Sequence, residues 1–311
     1  MSVKQPKKIG LLIGREWSWP SAFIANVNDR GSDVTAEFVK FGQTFLDDLC
    51  EYAVIVDRMS HEIPYYRTYL KFAAMQGVYV INDPFMASAD DKFFGMAMAH
   101  HLGVRTPKSV ALPNKRVETA NVPESFRNLK YPMDWQGIID YVGVPAILKD
   151  VNTGGRRLSH RVHDVDELIR WYDESDTLTV MLQEMIETDQ HYHAFVVANG
   201  NEVRVIRYLP EDGTYDAEPA TLSAVDRAAI EATASQMTEA YSYDINMVEF
   251  VIGNGELFLI NPTNPVPDLD INLLTAAHFE WSVQTIAEHT ISLAESLPQQ
   301  FESYKWHQVL N

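Results

Sequence analysis

Apolar residues open the chain in short runs of strand length. IGLLIG (9–14) and YAVIVDR (52–58) read as buried strands, and VTAEFVKFG between them is a third candidate. The period changes in PYYRTYLKFAAMQG (64–77), where Tyr66, Tyr69, Leu70 and Ala73 share one helical face and Gly77 supplies a C-cap. VYVIN (78–82) is the next strand. Strands alternating with helices predict a parallel sheet whose working edge lies at the strand C-termini.

Farther along, a helix is expected over 86–102, then a polar, proline-containing surface excursion over 113–137. VPAILKD (144–150) is a strand running into the glycine turn NTGGRR, and Asp164 with Glu167 suggests a capping box for the helix VDELIRWYDES. TVMLQEMI (179–186) is a strand. HAFVVANGNEVRVIRYL (193–209) and INMVEFVIGNGELFLINP (245–262) are hairpins, turning at Asn199-Gly200-Asn201 and Gly253-Asn254-Gly255. Between them a helix over about 224–241 places Ile230, Ala234, Met237 and Tyr241 on one side. The C-terminal helix is expected to bury Val283, Ile286, Leu293 and Leu297.

Composition narrows the function classes. With 311 residues, 46% hydrophobic and 22% charged, the chain can bury a large core and reads as an ordinary globular protein of two or three structural units. No apolar run approaches the roughly 20 residues that span a bilayer, and the basic start MSVKQPKK is not followed by a signal-peptide pattern, so a cytoplasmic protein is expected. Cys50 is the single cysteine, which excludes an intrachain disulfide and a cysteine-based zinc site. A net charge of −18 without a basic cluster argues against nucleic acid and anionic membranes and for small-molecule substrates.

Four separated segments then carry candidate chemistry. GVYVINDPFMASADDKFF (77–94) sets Lys92 early in a helix, and VGVPAILKDVNTGG (142–155) sets Lys149 at a strand end before a glycine turn. LQEMIETD (182–189) ends a strand with acidic residues, and MVEFVIGNGELFLINPTNP (247–265) is a hairpin with polar groups on both strands. Two lysines can bracket polyphosphate oxygens as compact point charges. Gly154 and Gly155 let backbone N–H groups approach phosphate, with Arg156 and Arg157 adding charge. The edge at Glu184–Ile186, following Gln183, can offer backbone groups to adenine, with Glu187 or Asp189 accepting ribose hydroxyls. Acidic and amide oxygens on paired strands can hold Mg²⁺.

In order and spacing these four segments resemble the ATP-grasp superfamily of carboxylate–amine ligases, which includes glutathione synthetase and D-alanine–D-alanine ligase; the likeness covers about residues 50–270. The resemblance implies an α/β fold with α+β lobes: a Rossmann-like pre-ATP-grasp domain (1–84), a small lobe (85–186, carrying the 113–137 excursion) and a C-terminal lobe (187–311). It also implies ATP and Mg²⁺ as cofactors, and a reaction in which ATP phosphorylates a carboxylate and an amine attacks the acyl phosphate. Lys92 and Lys149 would be the phosphate lysines, Glu184, Met185 and Ile186 the adenine hinge, and Arg207 the arginine that steadies the acyl phosphate. The metal segment departs from the family pattern of an acid on the first strand and Glu-x-Asn on the second. Glu249 fits the first, Asn261 stands where the glutamate belongs and Thr263 where the asparagine belongs, with Asn264 one residue late and Asp268 or Asp270 candidates to compensate.

Substrate contacts are expected from the loops after the first and third strands, at Arg15, Glu16, Trp17, Arg58, Ser60, His61 and Glu62. His191 and His193 share a strand face without a third ligand nearby, and hydrogen-bonded histidines are expected there. Three rivals stand beside the ligase: a nucleotide-binding protein with a degenerate metal site, a small-molecule kinase on the same fold, and an unrelated α/β enzyme using the N-terminal sheet. Dimers are common among related ligases, so a homodimer is also among the expectations.

Overall fold

A computed structural model of the chain describes residues 6–31, 33–118, 127–152, 158–217 and 222–310. The chain divides into two compact units: the first comprises 1–89, 192–248 and 264–311, the second 90–191 and 249–263. No helix among the described residues is long and apolar enough to cross a membrane.

The first unit begins with β1 (Lys7–Leu12), α1 (Ser18–Asp29), β2 (Val34–Phe38), β3 (Tyr52–Asp57), α2 (Pro64–Met75), β4 (Tyr79–Ile81) and the short α3 (Met86–Ala89). The strands form a parallel sheet in the order β2-β1-β3-β4. Their near-continuous apolar runs follow from burial on both faces. Ile9, Leu11, Val54 and Val56 pack against Trp19, Phe23 and Val27 of α1. The alternate residues Leu12, Ile55 and Val80 face Leu70 and Ala73 of α2 together with Phe301. Gly10 admits close packing, since a Cβ there would lie 2.5 Å from Val39 Cγ2. Phe41 stacks on Tyr69 and touches Tyr65 and Tyr66, so these aromatics serve packing.

The second unit takes up α4 (Lys92–His101), β5 (Ser109–Leu112), α5 (Trp135–Val142), β6 (Ala146–Asp150), β7 (Ser159–Val162), α6 (Val165–Glu174) and β8 (Val180–Glu184). The single helix expected over 86–102 is two. Asp91 adopts an extended backbone and caps α4, accepting from Phe94 N at 2.7 Å, so Lys92 becomes the first helical residue. The sheet order is β5-β8-β6-β7, antiparallel throughout, and Ala146, Leu148, Val180 and Leu182 pack against Ile139 of α5 and Leu168 and Tyr172 of α6. Asp164 accepts from Glu167 N, but the reciprocal bond of a capping box goes one residue upstream: Glu167 Oε2 accepts from His163 N at 2.9 Å.

Back in the first unit come β9 (His191–Val197, whose first residue still belongs to the second unit), β10 (Glu202–Leu209), β11 (Thr214–Tyr215), α7 (Ala224–Ala240) and the first half of β12 (Ile245–Gly253). Residues 198–200 turn the first hairpin with φ of 57°, 52° and 97°. The remainder of β12 pairs with β13 (Glu256–Asn261) in the second unit. The turn of this hairpin is the dipeptide Asn254-Gly255, φ 54° and 76°, with Gly253 kept in the strand opposite Glu256. The helix α8 (Ala276–Ser296) buries Val283, Ile286 and Leu293 in the first unit's core, and α9 (Lys305–Leu310) ends the described chain. Leu297 is not part of that buried stripe. It terminates α8 in a left-handed conformation and is 48% exposed.

Asn82, at the end of β4, ties the two parts of the first unit together. Its Oδ1 accepts from Asp244 N (2.7 Å) and Ile245 N (2.9 Å), and its Nδ2 donates to Ile245 O (2.7 Å) and Pro265 O (3.1 Å). Beside it, Asp244 accepts from Tyr79 OH at 3.2 Å and contacts His289 Nε2 at 2.7 Å. Asn82→Ala strands several buried backbone groups, so we expect a loss of about 3–5 kcal/mol in chemical denaturation.

Candidate functional site

The second unit gathers the predicted phosphate lysines and metal oxygens. Lys149 lies on the face of β6 opposite the buried Leu148 and donates to Gln183 Oε1 (2.9 Å) and to Ile260 O (3.5 Å). Burial lowers its pKa to about 8, opposed by the negative charge of Glu249 and assisted by the positive charge of Lys92. Lys92 donates to the main-chain oxygens of Asp150 (3.1 Å) and Asn152 (2.7 Å). Its pKa is also lowered by burial, against the pull of Asp150, Glu249 and Asp90. Two cations are thus drawn partly out of water onto carbonyl and amide oxygens, with carboxylates close enough to be felt.

Glu249 and Asn261 stand directly opposite in the β12–β13 register, and Asn261 Nδ2 donates to Glu249 Oε1 at 2.9 Å. Asn261 Oδ1 is buried and has no hydrogen-bond partner among the described residues. An orphaned carbonyl oxygen next to a carboxylate is a donor set that suits a hard cation, and Mg²⁺ commonly keeps water and phosphate in its remaining positions. The fit extends to two protein oxygens, one charged and one neutral. No group of three or more His, Cys, Asp or Glu side chains able to hold a metal exists among the described residues. Asn264 falls in the first unit, where its Oδ1 accepts from Val266 N (3.2 Å). Asp268 and Asp270 are also there, bonded within their own loop and to Ser18.

The hinge segment is anchored at its start. Glu184 N donates to Lys108 O (2.8 Å), its Oε2 accepts from Lys108 N (3.1 Å), and Met185 N donates to Pro145 O (3.1 Å). Those two N–H groups are therefore engaged within the unit. Ile186 packs so closely on Gly253 that a Cβ there would lie 2.4 Å from its Cγ2. Beyond Asp189, Gln190 O accepts from Ile252 N (3.0 Å), which fastens the segment to β12. Gly154, Gly155, Arg156 and Arg157 lie outside the described residues.

The remaining candidates belong to the first unit. Arg207 on β10 lies 3.9 Å from Asp216, and His193 pairs with Tyr215 OH (2.9 Å) and stacks on Tyr208. His191 Nε2 lies 3.0 Å from Thr188 O in the second unit, so each histidine has its own hydrogen-bond partner. Arg58 follows β3, is only 3% exposed, and grips Glu16 through Nε (3.0 Å) and Nη2 while Nη2 also donates to Pro267 O (2.5 Å). The His61 imidazole is pushed below its usual range by burial. Arg15 lies exposed in the bend after β1. Three groups escaped the sequence reading: Asp150, buried with Oδ2 unpartnered among the described residues; Asp90, accepting from Thr263 Oγ1 (3.2 Å); and Trp19, beneath Arg58. The alternation of AILKD could have signalled the first, because it places Asp150 on the buried face of β6 with Leu148, where a carboxylate is costly.

This architecture is that of the ATP-grasp fold. The chain matches a D-alanine–D-alanine ligase from Bacillus anthracis at TM-score 0.65 and 14% identity, covering 94% of this chain and 100% of that one. The same ligase complexed with ATP matches at TM-score 0.64 and 15% identity, over 96% and 100%. A RimK domain protein of ATP-grasp type from Sphaerobacter thermophilus matches at TM-score 0.66 and 15% identity, over 91% and 98%. No protein-family model and no curated protein sequence matches the chain.

The depressed pKa of Lys149 sets a sign. Its folded value lies below the ordinary 10.5, so the unfolded chain binds more protons between pH 8 and 10.5 and stability contributed by this group rises with pH across that window. The burden of the buried charge is full below pH 8 and amounts to roughly 3 kcal/mol. Lys149→Met is therefore expected to raise the melting temperature of the nucleotide-free chain at pH 7 and to flatten the rise between pH 8 and 10, as read by calorimetric unfolding.

Proposed function

We propose that the protein is an ATP- and Mg²⁺-dependent carboxylate–amine ligase acting on a small amino-acid or peptide-like substrate in the cytoplasm. The observation that carries the reading is the pairing, in one unit, of two desolvated lysines with the Glu249–Asn261 oxygen pair. A polyphosphate with a divalent cation supplies the negative charge the lysines lack and the positive charge the oxygens lack. Likeness to structures of D-alanine–D-alanine ligase, one of them complexed with ATP, supports the ligase class.

In this reading Lys92 and Lys149 orient the phosphates, and Gly154, Gly155 and Arg156 approach them from the glycine turn. Gln183 holds Lys149 in place. Glu184, Met185 and Ile186 border the adenine, and Asp189 accepts from the ribose. Glu249 and Asn261 would hold Mg²⁺, with Asn264 the weaker third candidate because its side chain closes a local turn. When bound there, the ion would supply positive charge against the phosphates. Arg207 steadies charge on the acyl phosphate, and Arg15, Arg58 and His61 face the substrate. Catalysis of this kind is positioning plus electrostatics rather than covalent work by the protein.

One observation favours a second reading, a nucleotide-binding protein without turnover: Asn261 brings no charge and already donates to Glu249. Calorimetry with ATP, with and without Mg²⁺, separates the two. The ligase requires Mg²⁺-dependent binding in the parent chain, weakened about 100-fold or more in Lys149→Ala, and ADP release that needs both a carboxylate and an amine. Binding indifferent to Mg²⁺, with Mg²⁺ dependence and turnover appearing only in Asn261→Glu, would establish the second reading. ADP release with a hydroxyl compound alone would make the protein a kinase.

A further inference from the structure

At the C-terminal edge of the parallel sheet, three buried nitrogens have no hydrogen-bond partner among the described residues: Arg58 Nη1, Trp19 Nε1 and His61 Nδ1. Arg58 and Trp19 are 3% and 0% exposed, so water is not a ready substitute. They lie together, with the guanidinium carbon 5.3 Å from the Trp19 ring centroid and the Arg58 charge felt by His61. Unmade hydrogen bonds of buried donors are costly, and a guanidinium N–H is among the costliest.

We propose that these groups form an anion-recognition site for a carboxylate of the substrate, one that does not depend on the nucleotide-binding unit. The sign of the ligand follows from what is already occupied. Both oxygens of Glu16 already accept from Arg58, and Asp57 accepts from Met59 N (3.0 Å), Ser60 N (2.8 Å) and Ser60 Oγ, so each carboxylate already has donors of the protein's own. Arg67 Nε is spent on Ser60 Oγ at 2.6 Å. What remains are two donors, one edge of a guanidinium and an indole N–H, beside an imidazole nitrogen whose role is set by its tautomer. The charge of the ligand follows too. One half-used guanidinium flanked by Glu16, Asp57 and Glu62 suits a monoanionic head better than a phosphate dianion. The proposal rests on the ligase reading only in calling this anion a substrate group.

The test uses the full chain without nucleotide, following the Trp19 indole N–H resonance, which is assigned by its loss in Trp19→Phe. Succinate, its uncharged diamide, 1,4-diaminobutane and inorganic phosphate are titrated in turn. Succinate is expected to shift the Trp19 resonance saturably, the diamide and the diamine to leave it unmoved, and phosphate to bind more weakly. By calorimetry, succinate affinity should fall about tenfold in Trp19→Phe, which keeps the aromatic packing, and further in Arg58→Lys. An unmoved resonance in succinate, an equal response to the diamide or diamine, or tighter binding of phosphate overturns the proposal. ATP titrated into the parent chain is a separate readout. Absent ATP binding with a succinate-responsive indole removes the ligase reading alone, and ATP binding with an unresponsive indole removes this one alone.

Discussion

A lysine drawn out of water governs the second unit. Lys149 leaves β6 on the face opposite the hydrophobic layer, and the residues around it are arranged as its solvation shell: Gln183 from β8, the carbonyl of Ile260 from β13, and the field of Glu249 from β12. Removing a cation from water costs more than such contacts return unless a counter-charge arrives. The unit therefore holds the lysine at the expense of its own stability, as functional sites commonly do. Lys92 repeats the pattern on main-chain oxygens, which are free of the conformational freedom of side chains.

The fold was more legible in the sequence than the site. Strands buried on both faces, such as IGLLIG and YAVIVDR, announce themselves as unbroken apolar runs, and Asn-Gly at 254–255 fixes a two-residue hairpin through its left-handed backbone. Local chemistry also misled in small ways. Leu297 continues the apolar period of α8, but the helix ends there and its side chain turns to solvent. The 86–102 stretch has no breaker between its halves except two aspartates, and only the cap made by Asp91 shows why it divides.

Among the candidate residues, the strand-end place of Lys149 was legible, but the pairing of Glu249 with Asn261 was not. Counting outward from the turn at 254–255 sets Glu249 opposite Ile260, and a bulge between Glu249 and Phe250 shifts the register by one so that Glu249 faces Asn261. The bonds of Arg58 were not legible, since Pro267 lies 209 residues away and no spacing rule connects them. Nor could the sequence show that Glu16 is already occupied, a fact that changes the sign of the charge this edge offers a ligand. Long-range polar pairing is invisible to periodicity, which records only the alternation of faces.

The division of the chain has a consequence for biosynthesis. The second unit needs residues 249–263 as well as 90–191, with fifty-seven residues of the first unit made in between, 192 to 248. At elongation rates of about 5–20 residues per second, Lys149 waits seconds for the strand that carries its carbonyl partner at Ile260. During that interval the nascent polypeptide carries the lysine and the strand edges around it without their last neighbours. The oxygens of Glu249 and Asn261 emerge from the ribosome only at the end of that interval.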